Sequence, residues 1–232
     1  MILHIAIKLY FFFLCRRDPE RALATVVELC KTRLPDNMHI PAEQIQVLTP
    51  TRKGPCGTIR LNGCLQEALN PPAPDKREIL WGERLFRQGD RIMQTRNDYD
   101  VVWEKDDGTV GTGIFNGDVG TITGIDPGAE TLTVTFDDRA ADYDFTQLNE
   151  LEPAYAMTVH KSQGSEYRAV ILTAWNGSPY LLSRSILYTA ITRARELLII
   201  VGREETVAAM VENAKKNRRY TGLKLRLQGK TE

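Results

Sequence analysis

Residues Ala154 to Val170 read AYAMTVHKSQGSEYRAV, and the reading of this stretch decides the fold. Tyr155 to Val159 alternates and is rich in β-formers, which predicts a short strand ending near Thr158. His160, Lys161, Ser162 and Gln163 follow as a polar turn closed by Gly164, where the missing Cβ lets the chain redirect. Beyond Ser165 and Glu166, the run AVILTAW (Ala169 to Trp175) is continuously apolar, as expected of a strand buried in a parallel sheet. Polar side chains at the tip of such a strand stand where open α/β sheets place ligands. An ordinary solvated turn accounts for any one of these residues; the density of Thr-x-His-Lys-Ser-Gln-Gly-x-Glu favours a site.

Moving toward the C-terminus, Leu182, Ile186, Leu187, Ala190 and Ile191 recur at helix spacing, with Ser183 as the predicted N-cap. Arg193 and Arg195 fall at the end of this helix, and ELLIIVG (Glu196 to Gly202) reads as another buried strand. An arginine there complements the helix dipole. That is the reading for Arg195, whereas Arg193, within Thr-Ala-Ile-Thr-Arg-Ala, is singled out as functional. A helix over 204–214 and a basic tail over 215–232 follow. The Gly229-Lys230-Thr231 triplet in that tail is a decoy, with Lys224 where a P-loop needs glycine.

Moving upstream, Asp18-Pro19-Glu20 opens a helix that Leu34-Pro35 is expected to stop near Arg33. IQVLTP (Ile45 to Pro50) is a buried strand running into the loop TRKGPCGT, and a helix follows to Leu69. A strand, a Gly/Lys/Arg loop and a helix N-terminus together make an anion site on physical grounds; a purely structural loop is the alternative. The spacing is not that of a Walker A loop. The opening stretch MILHIAIKLYFFFLC is too short to span a bilayer and carries His4 and Lys8. It lacks the pattern of a signal peptide, and reads as a strand that needs a sheet.

Between Gly89 and Leu148 the character changes. RIMQT, VVW, TVGTGIF, VGTITGI and TLTVTF are separated by turn signals such as Asn116-Gly117-Asp118 and Asp137-Asp138, a pattern that argues a small barrel. Tyr99, Trp103 and Phe115 either fill its core or stack on bases.

Lys and Arg together number 30, as do Asp and Glu, so a basic nucleic-acid footprint is absent globally and any such site must be local. Hydrophobic content of 42% and charged content of 26% indicate a globular chain with ample core. Cys15, Cys30, Cys56 and Cys64 form no Cys-x-x-Cys pair and have no histidine at ligand spacing. No metal site or disulfide framework is expected, and the chain reads as cytoplasmic.

The segments HKSQGSE and YTAITRA resemble motifs V and VI of superfamily 1 helicases, closest to the RecD/TraA-type branch (exodeoxyribonuclease V alpha-subunit-like), over roughly residues 18–203. LTPTRKGPCGT resembles motif IV, and the Gly-Asp-Arg start with FNGDVGTI resembles the SH3-like insertion of RecD-type helicases. The resemblance implies an α/β fold: a RecA-like parallel sheet flanked by helices, with an inserted small SH3-like β-barrel. The expected division is 1–82 and 151–214 for the second RecA-like domain, 83–150 for the barrel and 215–232 for the tail. It implies that Arg193 is an arginine finger and that Arg52, with Lys53 as the competing assignment, approaches the nucleotide phosphates. Glu166 would face the nucleotide's sugar beside Gly164. Thr49, Thr158, His160 and Lys161 would face the nucleic-acid backbone, and Tyr99 the bases. ATP and Mg²⁺ would be held mainly by a first RecA-like domain, in cis or as a separate chain, because no Walker A lysine or Walker B Asp-Glu is found here. Single-stranded DNA and other recombination-repair subunits are the implied partners, and no membrane. The functional expectation is the C-terminal motor half of an ATP-dependent DNA helicase, inactive alone. The alternative is a stand-alone single-stranded nucleic-acid-binding module of helicase ancestry. A nuclease is not supported, since no carboxylates cluster with metal-ligand logic.

Overall fold

The computed structural model describes residues 9–175 and 177–214; the basic tail expected over 215–232 and the first eight residues lie outside them. The described residues begin with β1 (Tyr10–Cys15), α1 (Pro19–Glu28), α2 (Leu34–Met38), β2 (Ile45–Thr49) and α3 (Thr58–Leu69). A hairpin of β3 (Glu78–Trp81) and β4 (Arg84–Arg87) leads into β5 (Arg91–Gln94), β6 (Asp98–Glu104), β7 (Val110–Ile114) and β8 (Val119–Asp126). Then come β9 (Thr131–Phe136), β10 (Arg139–Asp144) and β11 (Leu151–Pro153). The chain returns through β12 (Ala156–Thr158), β13 (Tyr167–Ala174), α4 (Arg184–Ile191), β14 (Ala194–Gly202) and α5 (Glu204–Glu212).

Five strands form a parallel sheet in the order β1-β14-β13-β2-β12. Because side chains alternate across a strand, the two faces of β14 feed two cores. Leu197, Ile199 and Val201 pack with Ala22, Val26 and Leu61 from the α1 and α3 side. Leu198 and Ile200 pack with Ile186, Leu187 and Met210 from the α4 and α5 side. β13 is covered on both faces, with Ala169 through Leu172 fully buried. Burying each of its branched side chains contributes about 1.5–3 kcal/mol, so β13 and β14 anchor the domain. β1 takes up the sheet its sequence demands, in register Tyr10 to Leu197 through Cys15 to Gly202.

Asp18 caps α1, accepting from the Arg21 N–H at 2.9 Å. The helix does not stop at Leu34-Pro35 as expected. A five-residue π turn, Leu29–Arg33, is closed by the Leu34 N–H on the Leu29 carbonyl and carries the helix on to Met38. Proline lacks an N–H and crowds the carbonyl one turn back; the wider turn absorbs both defects. His39, at φ 53°, then ends the helix in the left-handed conformation.

A seven-stranded antiparallel sheet in the order β11-β5-β8-β9-β10-β6-β7 curls around its own core of Phe86, Ile92, Ile114, Ile122, Val134, Phe136 and Tyr143. The expected inserted barrel is therefore present. β10 (RAADYD) and the β3–β4 hairpin escaped the sequence reading, because only Ala141 and Tyr143 of β10 face inward. The two units are tied at Asp90, which is 1% exposed. Its carboxylate accepts from Asn70 Nδ2 at 2.7 Å, Tyr155 Oη at 3.0 Å, the Arg87 N–H at 2.7 Å and Gln66 Nε2. One buried acid thus joins α3, the strand leading into the barrel and the chain leaving it. Burial pushes its pKa up against the pull of those four donors.

Candidate functional site

The strand registers sort the expected site residues by the end of the parallel sheet they occupy. Thr158 pairs with Thr49 at the C-terminal ends of β12 and β2. The loop after β2 carries Arg52 and Lys53, and the loop after β12 carries His160 and Lys161. Glu166 precedes the first residue of β13, and Arg193 the first residue of β14, at the opposite end. The Tyr167 N–H bonds the Arg193 carbonyl at 2.8 Å, which fixes those two positions together. Leu48 pairs with Leu172, so the Thr49 level lies six residues up β13 from Tyr167. At the strand rise this separation is about 20 Å. The structure brings Arg52, Thr158 and Lys161 together and leaves Arg193, Gly164 and Glu166 as a second group.

At the C-terminal edge, a groove of about 260 Å³ is lined by Arg52, Asn62, Arg84, Glu152, Thr158 and Lys161 among others. Glu152 is the hub of its charges. Its Oε1 meets Arg52 Nη2 at 3.0 Å and Arg84 Nη2 at 3.5 Å, and its Oε2 meets Lys161 Nζ at 2.6 Å. Burial pushes the Glu152 carboxyl up, but Lys161 and the two guanidiniums outweigh it and hold the group below the ordinary carboxylate range. Lys53 is exposed and has no ion-pair partner among the described residues.

Two expectations at this edge are corrected. Thr49, placed at the nucleic-acid face, is 1% exposed. Its hydroxyl donates to the Cys56 carbonyl at 2.9 Å and accepts from the Thr51 N–H at 3.4 Å, so it braces the loop instead of facing a ligand. The anion cradle suggested by the loop and helix start is closed by the loop itself. The Thr58 and Ile59 N–H groups of α3 bond the Thr51 and Arg52 carbonyls at 3.1 and 3.2 Å. Gly57 makes this folding-back possible, since a Cβ there would lie 2.5 Å from the Arg52 oxygen. The positive side chains of the loop remain, whereas the first two helix amides are taken.

His160 is exposed and turns to a different groove, lined by Tyr180, Ser183, Arg184 and Tyr188. The Ser162 hydroxyl, fully buried, donates to the Val159 carbonyl at 2.8 Å and so shapes the turn from within. Gly164 adopts φ +91°, which only glycine takes freely.

At the N-terminal edge, Arg193 is half-buried. Its Nη1 donates to the Ser165 carbonyl at 2.9 Å, its Nε to the Thr189 carbonyl at 3.2 Å, and its Nη2 to the Thr192 hydroxyl at 3.2 Å. No carboxylate neutralises it among the described residues. Glu166 pairs instead with Arg195 at 3.0 Å on the surface. An exposed pair of this kind is worth 1 kcal/mol at most, on the order of measured surface pairs.

On the barrel, Tyr99 and Phe115 are 66% and 42% exposed and meet edge to face, with ring centroids 5.7 Å apart. Trp103 is half-buried over Gly111, with the Lys105 ammonium 5.9 Å and the Arg139 guanidinium 5.8 Å from its ring centroid. Neither Tyr99 nor Phe115 fills the core. Sequence reasoning missed Glu152 and Arg84, the former although it lies two residues before the stretch that opened the reading. A single glutamate carries no signature until the fold brings Arg52 to it, a hundred positions away. No group of three or more potential metal ligands occurs among the described residues, and none of their helices is long and apolar enough to cross a membrane.

Comparison with known proteins gives this geometry its context. Residues 61–136 match the family described as the ATP-dependent RecD-like DNA helicase SH3 domain, and residues 153–201 the UvrD-like helicase C-terminal domain. An ATP-dependent RecD2 DNA helicase of Deinococcus radiodurans is 40% identical over 158 residues, 68% of this chain and 20% of that protein. The RecBCD enzyme subunit RecD of Mycobacterium tuberculosis is 30% identical over 224 residues, 93% of this chain and 36% of that protein. The chain therefore spans only a fifth to about a third of the length of these relatives. Among solved structures, one of two coordinating Pif1 helicases at forked duplex DNA aligns over 94% of this chain and 54% of that one, at 15% identity and TM-score 0.49. With an SH3 module of the RecD-like type inserted into a parallel α/β sheet that ends in the UvrD-like C-terminal segment, the chain belongs to the RecD-like DNA helicase family.

Proposed function

We propose that this chain is the C-terminal motor half of an ATP-dependent DNA helicase of RecD/TraA type, with strand and nucleotide served from opposite ends of one sheet. The supporting observation is the separation of the two polar groups along β13. At the C-terminal edge, Arg52, Lys161 and Thr158 hold the backbone of single-stranded DNA, with Lys53 beside them and His160 meeting the strand from its separate groove. Tyr99, exposed on the barrel, extends that track by stacking on a base, which contributes about 1–3 kcal/mol. At the N-terminal edge, Arg193 supplies positive charge to a nucleotide held by a companion RecA-like domain, in cis or as a separate chain. Glu166 and Gly164 border that position. The domain is divided by the barrel as 1–82 and 151–214, with the barrel at 83–150. This assignment moves Arg52 from the nucleotide to the strand, because its guanidinium shares a groove with Thr158 and Lys161.

ATP with Mg²⁺ supplies the phosphoryl chemistry when bound, and the residues that fit the group in this chain are few. Arg193 is an uncompensated guanidinium already presented by backbone carbonyls, and swinging it off the Thr189 carbonyl needs only side-chain rotation. An arginine finger accelerates phosphoryl transfer by roughly 10³–10⁵. The 232-residue chain alone is therefore expected to show no ATP turnover above background with an oligonucleotide present. Turnover by this chain that Arg193→Ala abolishes would contradict the half-site reading.

The second reading, a stand-alone module that binds single strands without ATPase function, is favoured by the hydrogen bonds that tie Arg193 to its own helix end. Restoration of strand-stimulated ATP turnover on adding a Walker-bearing first domain would exclude it.

A further inference from the structure

Three cations converge on one carboxylate at the C-terminal edge, and the carboxylate is the best covered of the four groups. The Glu152 side chain is 21% exposed, against 60% for Arg52, 35% for Arg84 and 30% for Lys161. Arg84 is additionally anchored through its Nη1 to the Leu151 carbonyl at 2.8 Å. The carboxylate is held on the short strand β11, whose Glu152 pairs with Met93 of the barrel. Glu83 also lines the groove, so three cations face two carboxylates and the balance stays positive. Two guanidinium groups, each through one Nη2, and an ammonium on one pair of oxygens is a set of donors that a phosphate also takes from a protein. Here an internal carboxylate takes it.

We infer that Glu152 is a built-in counter-anion that fills a phosphate seat made by Arg52, Arg84 and Lys161, and that a phosphodiester of the incoming strand displaces it. The inference rests on the strand-binding reading of this edge. An empty cluster of three cations would repel itself and would bind any polyanion; the glutamate holds the side chains converged and sets a threshold. A strand must offer a phosphate in register to exchange one anion for another. Release is also eased, because the carboxylate returns as the phosphate leaves, which suits a grip that must repeatedly let go. Glu152 is a positioning residue in this scheme and does not touch the bases.

The test uses the 232-residue chain, a fluorescein-labelled oligodeoxythymidylate and a fluorescent ATP analogue. Glu152→Gln keeps the shape and removes the charge, and it is expected to tighten oligonucleotide binding roughly five- to tenfold. The displaced carboxylate of the wild type must take up a salt cation. Log affinity against log salt should therefore fall more steeply in Glu152→Gln, by up to about one unit of slope. Affinity for the nucleotide should not change. Unchanged or weaker oligonucleotide binding by Glu152→Gln, with the melting temperature preserved, would overturn the proposal and leave Glu152 a brace for its neighbours. Tightening confined to the nucleotide would overturn it by making the seat a nucleotide site. Arg52→Ala and Lys161→Ala that both bind the oligonucleotide as the wild type does would instead defeat the strand-binding reading itself.

Discussion

On the proposed reading, the two ends of the parallel sheet present positive charge to a phosphate in opposite ways. At the C-terminal edge, Arg52 and Lys161 share the Glu152 carboxylate, at 3.0 and 2.6 Å. At the N-terminal edge, Arg193 is steadied only by carbonyl and hydroxyl oxygens, the nearest at 2.9 Å. A carboxylate cancels charge, so the incoming anion must compete. Carbonyls orient a guanidinium and leave its charge in place. The first arrangement suits a contact made and broken at every step along a strand. The second suits a group that must be poised before a nucleotide arrives and be worth most in a transition state.

The comparison can be broken most sharply at Arg193. In the assembled two-domain motor, Arg193→Ala should lower strand-stimulated ATP turnover by roughly a thousandfold or more, and Arg193→Lys should restore little of it, because a point charge does not replace the planar fork. Steady-state turnover checks this; a loss below tenfold would remove the distinction between the edges.

Asp90 tests whether the strand edge and the barrel act as one body. Asp90→Ala strands four hydrogen-bond donors in a buried place. It should cost about 2–4 kcal/mol of stability, seen as a fall in melting temperature of about 2–4 °C per kcal/mol. Hydrogen exchange should quicken first in β5 and in the last turn of α3. Tyr99→Ala carries a smaller expectation, a loss of oligonucleotide affinity of about 1 kcal/mol measured by fluorescence anisotropy. Tyr99 stands on the barrel, so this loss should appear only with strands long enough to reach it from the Arg52 groove.

The smallest effect concerns the thiols. Burial pushes Cys30 up to about 12 and Cys56 up to about 11, so neither is a thiolate near neutrality. Alkylation at pH 8 in the folded state should mark exposed Cys15 and spare Cys30 and Cys56, and mass spectrometry of the digested protein reads the difference.

Much of the fold was legible because its strongest elements are local. ELLIIVG and AVILTAW are apolar runs that only a doubly covered strand explains, and both lie at the centre of the sheet. The barrel announced itself through turns such as Asp137-Asp138, where Asp137 adopts φ 53°. β10 was illegible because its two inward side chains, one of them alanine, leave no pattern. The helix past Pro35 was hidden because a π turn has no residue signature. The site was legible as residue types and not as an arrangement. Thr49 looked like its neighbours at the strand tip, yet its hydroxyl closes the loop. The segregation of Arg52 from Arg193 depends on β12 and β13 lying on either side of β2, which carries the connecting loop from one sheet edge to the other. Nothing in the loop's composition reports that crossing.

The most direct test of the two-edge account compares oligonucleotide affinity in three proteins: the wild type, Arg52→Ala/Lys161→Ala, and Arg195→Ala, which removes one cation from the N-terminal edge. The double variant should lose affinity by at least tenfold, and its slope of log affinity against log salt should shrink by about 1.4, two single-strand phosphate contacts. Arg195→Ala should stay within twofold of the wild type. Equal losses in both variants, or an unaltered salt slope in the double variant, would contradict the assignment of the strand to the C-terminal edge.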